Sequence, residues 1–459
     1  MNAQDFYQVD IPIGSIKLLI LTKTDLSMQY EQLSQSVQIA FRLKQFKANL
    51  GDVVIIGDEY GQVTEVYIGQ GDGSDRDAIL HAVMHLPQGT YQARQPLSIR
   101  ASVAWSLAQY RFTRYKKRDL TQRVLVVASE RLPDILAETT SVFLTRDLIN
   151  TPAQDMGPQA LTEALKTVAE QHGALFEQWI GDELVKQGFP AIYAVGRAAH
   201  EAPRLSMLTW GQADHPRVTL VGKGVCFDSG GLDIKPSSGM RLMKKDMGGA
   251  AQVIGLAHWL MSHHLPIRLQ VLVPAVENAI GSRAYRPGDV LTMRNGLTVE
   301  IDNTDAEGRL ILADALVKAY EFKPDLVIDF ATLTGAARVA VGTEISAFFS
   351  NDEALSQGIQ QAASDMHDTV WRMPLFPGYA SLNDSAIADL SNSSSSSYAG
   401  AITAALFLER FVDNTIPWAH FDIMAWNVTN KPGKPEGGEA MGMQAVAAYL
   451  IRRFHTQNS

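Results

Sequence analysis

The stretch that decides the fold is Arg217-Val-Thr-Leu-Val-Gly222, a short apolar run typical of a buried strand. The runs Ile267–Val273 and Leu326–Phe330 predict two further central strands. Helical patterns cover Ala250–His263 and Arg309–Phe322, so strands and helices alternate along this part of the chain. This alternation predicts an α/β domain with a mixed, mostly parallel sheet flanked by helices.

The N-terminal part of the chain has an α/β pattern of its own. Apolar runs at Ser15–Leu21 and Arg123–Ala128 predict strands, and Asp75–Leu86 and Ser98–Tyr110 have helical patterns. No concentrated polar motif accompanies them. We interpret this part as a smaller α/β domain with a scaffolding or assembly role.

The length of 459 residues exceeds what one ordinary core supports, so more than one domain is expected. We place the smaller domain at residues 1–131 and a connecting helix at 132–150. Turn-forming residues in Asn150–Pro158 mark a plausible boundary. The larger, catalytic domain is then predicted over residues 151–459.

Composition restricts the classes of function. With 46% hydrophobic and 19% charged residues and a net charge of −9, we expect a globular protein without a nucleic-acid or membrane surface. Cys226 is the single cysteine, so an intrachain disulfide is excluded. We see neither a signal peptide nor an apolar run of eighteen residues, and we expect a cytoplasmic protein.

The acidic segment Asn303-Thr-Asp-Ala-Glu-Gly-Arg-Leu310 lies between a strand pattern and a helix pattern, where open α/β sheets bind ligands. Asp305 and Glu307 are two residues apart in a turn, so both carboxylates can face one point. An alternative explanation is a capping box formed by Thr304 and Glu307, which requires no metal. A capping box does not explain Asp305 or a second acidic cluster.

That second cluster consists of Lys223, Asp228, Lys235 and Asp246. Lys223 ends an apolar strand, an unusual position for an unpaired ammonium. Beside a dication, a lysine can lose its proton and become a ligand. The alternatives are ordinary surface lysines and, for Asp246, a helix N-cap.

Five candidate ligands are more than one tetrahedral ion needs, and two divalent ions about 3.5–4 Å apart would use all of them. Oxygen ligands with one amine suit magnesium, manganese or zinc. The five candidates are Lys223, Asp228, Asp246, Asp305 and Glu307. We interpret His420 and Cys226 as core residues; an oxidation-sensitive Cys226 beside the metals is the alternative.

Several of these segments resemble blocks of the leucine aminopeptidase (cytosol aminopeptidase) family, and the spacing between them also agrees. The similarity covers roughly residues 145–450 and is weak over residues 1–130. The matching blocks are Val221–Lys235, Met243–Ala251, Pro274–Asn278, Asn303–Leu310 and Ala331–Ala336, and Gly400–Ala405 and Trp418–Ile423 resemble its C-terminal blocks.

The resemblance implies a metal-dependent aminopeptidase that removes leucine-type and other apolar N-terminal residues through a metal-bridging hydroxide. Asp228 and Glu307 would bridge two ions, manganese or zinc with magnesium an option in one site. Lys223 and Asp246 would complete the tighter site and Asp305 the more exchangeable one.

The resemblance also implies Lys235 and Arg309 as the catalytic pair, with a bicarbonate bound near Arg309. It implies a homohexamer built as a pair of trimers. The substrate pocket would be lined by Met243, Asn303, Ala306, Thr332, Leu333 and Gly335. One departure is the tract Ser391–Ser397, where relatives carry more glycine and where we expect a flexible loop.

The sequence leaves two alternative functions open. A DNA-binding role would use the basic run Arg111–Arg118, whose aromatic residues are interleaved with the charges, and salt-dependent retention on DNA would reveal it. A two-metal hydrolase of another bond, such as a phosphoester, would not require a free amine on its substrate. We expect peptides as substrates and no nucleic-acid or membrane partner.

Overall fold

The structure, a computed structural model, describes residues 1–117 and 122–455. The described chain forms two compact units, one from residues 1–143 with Thr429–Glu436, the other from 144–428 and 437–455. The division therefore falls inside the predicted connecting helix, which runs from Leu132 to Asn150. The domain boundaries given above remain predictions.

The first unit contains the smaller of the two main sheets. Its strands are β1 (Tyr7–Gln8), β2 (Ile16–Leu21), β3 (Val53–Gly57), β4 (Val63–Gly69), β5 (Gly89–Ala93) and β6 (Arg123–Val126). Its helices are α1 (Lys23–Gln29), α2 (Gln35–Lys44), α3 (Asp75–Ala82), α4 (Ile99–Leu107) and the first part of α5 (Leu132–Asn150).

Six strands form this sheet in the order β1-β6-β5-β2-β4-β3, and only the β3–β4 pair is antiparallel among the described residues. The sheet is covered by α3 and α4, whose N-termini are capped by Ser74 and Ser98. Trp105 and Tyr91 lie in the core of this unit. The sequence patterns of the N-terminal part therefore correspond to an independent α/β core.

The second unit contains a larger sheet and most of the helices. Its strands are β7 (Leu175–Ile180), β8 (Arg204–Trp210), β9 (Arg217–Gly222), β10 (Gly224–Asp228), β11 (Arg268–Asn278), β12 (Val290–Thr292), β13 (Thr298–Glu300), β14 (Leu326–Ala331), β15 (Ser346–Ser350), β16 (Val370–Arg372), β17 (Leu390–Ser391), β18 (Trp418–Asp422), β19 (Trp426–Asn427) and β20 (Gly437–Gly438). Its further helices are α6 (Pro158–Gln171), α7 (Asp182–Lys186), α8 (Pro190–Gly196), α9 (Ser237–Met240), α10 (Gly248–Ser262), α11 (Glu307–Glu321), α12 (Gly335–Val341), α13 (Glu353–Met366), α14 (Gly400–Glu409) and α15 (Met443–His455).

The main sheet of this unit follows the order β16-β15-β18-β14-β9-β11-β8-β7, and β10 pairs with β11 beside this path. The central strands β18, β14, β9 and β11 are parallel, whereas β15, β8 and β7 join through antiparallel pairings. Their interiors are fully buried, which agrees with continuous apolar runs rather than alternating ones. The predicted fold class, a mixed and mostly parallel sheet flanked by helices, is confirmed.

The carboxyl ends of the parallel strands lie at one edge of the sheet, and polar residues follow immediately there. Lys223 comes after β9, Thr332 comes after β14, and Asp422 and Asn278 are the last residues of β18 and β11. Ligands of open α/β sheets bind at this edge. The fold therefore brings segments that are distant in sequence to one place.

The capping-box explanation for the acidic segment is wrong in this structure. Helix α11 begins at Glu307, its N-cap is Ala306, and the cap contributes no side-chain hydrogen bond. The Thr304 hydroxyl instead donates to the carbonyl of Gly230 at 2.7 Å. Asp246 is likewise not the N-cap of α10, since Met247 occupies that position. Glu307 and Asp246 are therefore not helix caps, and their carboxylates can have another function.

In the part of the chain that the structure describes, no helix combines the length and apolar character needed to cross a bilayer. The basic run Arg111–Arg118 follows α4 in the first unit, and Arg118 lies outside the described residues. Arg114 stacks over the ring of Tyr115 at 5.7 Å, and both side chains are exposed.

Candidate metal centre

Lys223 is held in the interior by two carboxylates. Its Nζ lies 2.7 Å from Asp246 Oδ2 and 2.9 Å from Glu307 Oε1, and it also donates to the carbonyl of Thr332 at 3.2 Å. All three side chains are almost completely shielded from solvent. A lysine at the end of an apolar strand is thus placed among anions, as the position of Lys223 in the sequence suggested.

Lys235 connects two other carboxylates. Its Nζ lies 2.8 Å from Asp228 Oδ2 and in close contact with Asp305 Oδ1. Asp228 is oriented through its other oxygen, which accepts hydrogen bonds from the Gly230 amide at 2.9 Å and from Asn278 Nδ2 at 2.8 Å. Asp228 therefore has a fixed position at the end of β10.

Three carboxylates converge more closely than free anions would. One oxygen each from Asp228, Asp305 and Glu307 lies within 4.8 Å of the others. Burial, and then the charge of Asp228, raises the pKa of Glu307 to about 8 and that of Asp305 to about 6. Like charges at this distance disfavour ionisation of Asp305 and Glu307, so these carboxyl groups bind either protons or a cation.

The lysines counter part of this repulsion. Burial alone would lower the pKa of Lys223, but Asp246 and Glu307 outweigh it and raise that pKa. Asp246 shows the converse effect: burial would raise its pKa, whereas Lys223 and Lys245 lower it. Asp246 therefore ionises more readily than an ordinary aspartate.

Two carboxylate oxygens fit a metal ion. Asp305 Oδ1 and Glu307 Oε1 are buried and have no directed hydrogen bond among the described residues, although the ammonium groups of Lys235 and Lys223 lie close to them. Buried oxygens without hydrogen bonds are costly unless another cation is bound to them. Four carboxylates and one amine form a donor set suited to hard or borderline divalent ions.

Gly308 allows the close packing around Lys223. A Cβ at this position would lie 2.4 Å from Lys223 Cε and 2.7 Å from its Nζ. Any larger residue would therefore displace the lysine from Asp246 and Glu307. The glycine within the acidic segment is required by the space available, not by backbone conformation.

The predicted site residues line one cavity of about 430 Å³. The structure brings all of them together, although their individual roles remain predictions. They are Lys223, Asp228, Lys235, Met243, Asp246, Asn303, Asp305, Ala306, Glu307, Arg309, Thr332, Leu333 and Gly335.

Two hydrogen-bond donors of Arg309 have no acceptor within residues 1–117 and 122–455. They are the buried Nε and Nη1, and the guanidinium lies 5.8 Å from the ring centre of Phe407. Burial lowers its pKa to about 10, so it remains charged at neutral pH. The arrangement fits a small bound anion, the position in which the resemblance places bicarbonate.

Some residues around the cavity were not identified from the sequence. Lys245 and Arg338 line it, as do Ser393, Ser394 and Ser396 from the serine-rich tract. Burial lowers the pKa of Lys245 to about 8. Lys245 stands next to Asp246 in the sequence, but nothing in its local pattern indicates that its side chain reaches the cavity.

Asp422 is a second residue that the sequence did not single out. Its Oδ1 accepts hydrogen bonds from the amides of Leu333 at 3.0 Å and Thr334 at 3.1 Å. Its Oδ2 accepts one from the Thr334 hydroxyl at 2.6 Å. Asp422 thus fixes the segment after β14, which carries part of the cavity wall.

His420 and Cys226 are buried, as expected for core residues. His420 Nδ1 lies 2.6 Å from Asp329 Oδ1, between neighbouring strands. Burial raises the pKa of the Cys226 thiol well above its usual range. A thiol with so little thiolate character is not readily oxidised, which disfavours the alternative role for Cys226.

Comparison with known proteins identifies the family. Residues 143–447 match the cytosol aminopeptidase family, catalytic domain, and residues 16–128 match the N-terminal domain of M17 aminopeptidases. A probable cytosol aminopeptidase of Syntrophotalea carbinolica is 41% identical over 363 residues, which is 75% of this chain and 73% of that protein.

Solved structures give the same result. The cytosol aminopeptidase of Coxiella burnetii is 45% identical and superposes with a TM-score of 0.94, covering 98% of this chain and 100% of the other. The bottromycin maturation enzyme BotP in complex with Mn is 31% identical with a TM-score of 0.86, covering 96% of this chain and 99% of the other. This chain is a member of the cytosol aminopeptidase family, a family of metal-dependent aminopeptidases.

Proposed function

We propose that this protein removes the N-terminal residue of peptides, leucine and other apolar residues among them, with two divalent metal ions. The observation that carries the proposal is the convergence of Asp228, Asp305 and Glu307 within 4.8 Å, with buried oxygens that no hydrogen bond satisfies. Manganese or zinc fits this donor set, and magnesium is an option for one of the two positions.

The proposed ligands divide between the two ions. Asp228 and Glu307 are shared, Lys223 and Asp246 complete one site, and Asp305 completes the other. Lys223 would ligate as a neutral amine, which requires that it give up the proton now shared with Asp246 and Glu307. When bound, the two cations supply a hydroxide near neutral pH and polarise the scissile carbonyl.

Lys235 is proposed to stabilise the developing negative charge on the substrate carbonyl. Its Nζ is anchored by Asp228 and close to Asp305, so it is already positioned at the cluster before substrate binds. The contacts raise the pKa of Lys235 despite its partial burial, and it therefore stays protonated at neutral pH. A fixed donor of this kind costs no reorganisation during the reaction.

Arg309 is proposed to hold an anion, bicarbonate, that shuttles a proton. The guanidinium itself cannot act as a base at neutral pH because it remains charged. Its buried Nε and Nη1 donors have no acceptor among the described residues, and a planar oxyanion can accept from both of them. The role is supported by these donors and by the resemblance of the acidic segment to that of the family.

The remaining cavity residues would contact the substrate. We propose apolar contact with the N-terminal side chain from Met243, Ala306 and Leu333, which are buried or half-buried at the cavity. Polar contacts with the substrate would come from Asn303, Thr332 and Gly335. The free amine of the peptide would be held at the metal centre, which explains an exopeptidase rather than an endopeptidase.

The decisive experiment is the hydrolysis of leucine p-nitroanilide by metal-stripped protein that is titrated with manganese or zinc. Turnover that returns with metal, and is absent for the N-acetylated substrate, supports the proposed chemistry. Asp305→Ala should abolish the metal-restored activity. Asp413→Asn is the matched control, since Asp413 is exposed and bonds only locally to Thr415.

Absence of turnover with every metal tested, in protein that stays folded, would overturn the aminopeptidase proposal. Turnover of the acetylated substrate would instead contradict the role of the free amine. Cleavage of phosphoesters in the same assay would favour the alternative two-metal hydrolase.

We further propose a homohexamer, a pair of trimers, acting in the cytoplasm, in line with the relatives named cytosol aminopeptidases. Light scattering should then give a mass near six times the 50.3 kDa of one chain. We expect no retention on DNA at low salt, which is the measurement that tests the basic run Arg111–Arg118.

A further inference from the structure

The three lysines that line the cavity differ in their surroundings. Lys223 and Lys235 each contact two carboxylates. Lys245 is 1% exposed, and its Nζ has no hydrogen-bond partner among the described residues. A buried ammonium without a partner carries a cost that a bound anionic group would remove.

Asp246 and Asp422 are the carboxylates whose charges raise the pKa of Lys245 against the effect of burial. Both already accept hydrogen bonds from other groups. Asp246 uses Oδ2 for Lys223 and Oδ1 for the Thr332 hydroxyl at 2.7 Å. Asp422 uses both of its oxygens for the segment after β14. Neither residue therefore satisfies the donors of Lys245.

Arg338, on helix α12, reinforces the positive character of this part of the cavity. Its guanidinium forms no ion pair within residues 1–117 and 122–455, and it lines the same cavity as Lys245. Among the described residues, Lys245 and Arg338 thus have no carboxylate in direct contact, and they line the same cavity as the carboxylate cluster. A substrate with an apolar side chain and no nearby carboxylate would leave the buried Lys245 ammonium without an acceptor.

We propose that Lys245, assisted by Arg338, binds a carboxylate of the peptide substrate, an inference that rests on the proposed aminopeptidase function. The carboxylate has two possible sources. It is either the side chain of an N-terminal glutamate or aspartate, or the C-terminal carboxylate of a dipeptide. In both cases a charge-assisted hydrogen bond to Lys245 would add acidic or very short peptides to the substrates of this enzyme.

The experiment compares two matched substrate pairs in the metal-loaded protein. The first pair is the p-nitroanilides of glutamate and glutamine, and the second is Leu-Gly and Leu-Gly amide. Each pair differs by one carboxylate. Lys245→Met keeps the length and apolar stem of the side chain, whereas Lys244→Met is the matched control, because Lys244 donates to the carbonyl of Asn150 at 2.7 Å.

We expect Lys245→Met to lower kcat/KM for the charged member of one pair by about tenfold or more relative to its neutral partner, as the loss of one such hydrogen bond predicts. Lys244→Met should leave both ratios unchanged. A change in the glutamate ratio identifies the side-chain carboxylate, and a change in the dipeptide ratio identifies the C-terminal one.

The proposal is overturned if both ratios are unchanged in Lys245→Met, or if all substrates lose activity equally. Leucine p-nitroanilide turnover by the wild-type protein tests the proposed function separately. If the wild-type protein hydrolyses nothing, the same pairs can be compared by calorimetric binding, with free glutamate and glutamine in place of the anilides. Equal affinities of both variants for every ligand would then exclude the carboxylate site.

Discussion

Lys223 and Asp246 form a buried ion pair with 2.7 Å between Nζ and Oδ2, although 23 residues separate them in the chain. A buried pair of this kind is sustained only when the remaining donors and acceptors are also satisfied. Here the second Asp246 oxygen accepts from the Thr332 hydroxyl, and the Lys223 ammonium donates to the Thr332 carbonyl. Thr332 thus forms a hydrogen bond with each partner of the ion pair.

The pKa of Glu307 leads to a pH-dependent stability in the metal-free protein. Its folded pKa of about 8 lies above the ordinary 4.5, so the folded state binds more protons between these values. Stability contributed by this group therefore falls as the pH rises through that window. Glu307→Gln cannot lose the proton, and we expect its thermal midpoint to exceed that of the wild type increasingly from pH 5 to pH 8.

The measurement is thermal unfolding with a chelator present, for both variants at pH 5, 6.5 and 8. Titrating groups that do not interact with Glu307 are common to the two proteins, so their contributions cancel in the difference. A difference that stays constant over the three pH values would contradict the assigned pKa. Addition of manganese should stabilise the wild type more at pH 8 than at pH 6, because Glu307 and Asp305 must lose their protons to bind it.

Replacement of Lys235 should affect the chemical step more than substrate binding. We expect Lys235→Met to lower kcat by about 10²-fold or more, as for the loss of one oxyanion donor, with little change in KM. The steady-state constants should be measured together with the metal content, because Lys235 also contacts Asp228 and Asp305. Lys166→Met serves as a control, since the ion pairs of Lys166 in the described part of the chain are with exposed glutamates on its own helix.

A kcat within a few-fold of the wild type would show that Lys235 is not the donor to the reacting carbonyl. Loss of bound metal in Lys235→Met would instead assign to the lysine a role in holding the carboxylates. The two results are separated by the metal analysis.

Asp422 should act on substrate recognition through the segment it holds. Asp422→Ala leaves the amides of Leu333 and Thr334 without their acceptor, so the wall of the cavity loses its fixed position. We expect kcat/KM for leucine p-nitroanilide to fall about tenfold, mainly through KM, with unchanged metal content. Asp422→Asn retains one acceptor oxygen and should recover most of the loss; an equal loss in both variants would contradict a positioning role.

Much of the second unit could be predicted because its signals are local. The apolar runs that became β9, β11 and β14 lie in parallel strands, where both faces are buried and the sequence is continuously apolar. Lys223 follows β9 and Thr332 follows β14, so both lie at the edge that the ends of the parallel strands share. Glu307 follows β13, a strand of the separate three-stranded sheet, so its proximity to Lys223 does not follow from the order of the main sheet.

Other features depend on contacts that no local pattern contains. The Thr304 hydroxyl could have capped α11, but the carbonyl of Gly230, 74 residues away, is its acceptor instead. The pairing of β1 with β6 joins Tyr7 to Leu125, and the sequence between them gives no indication of it. Lys244 and Lys245 are adjacent and have the same local sequence environment. Lys245 is nevertheless buried with no hydrogen-bond partner among the described residues, whereas Lys244 donates to a backbone carbonyl.

A second buried ion pair, between Arg146 and Glu439, should contribute to the stability of the larger unit. Arg146 donates from Nε and Nη2 to the two carboxylate oxygens, at 3.0 Å each, and both side chains are almost fully buried. Removing one partner leaves the other charge buried without a counter-ion, so Glu439→Ala should lower the free energy of unfolding by about 3–5 kcal/mol. The double variant Arg146→Met with Glu439→Leu removes both charges and should be more stable than Glu439→Ala. Urea unfolding of Arg146→Met, Glu439→Leu and the double variant measures this coupling, and strictly additive losses would show that the two side chains act independently.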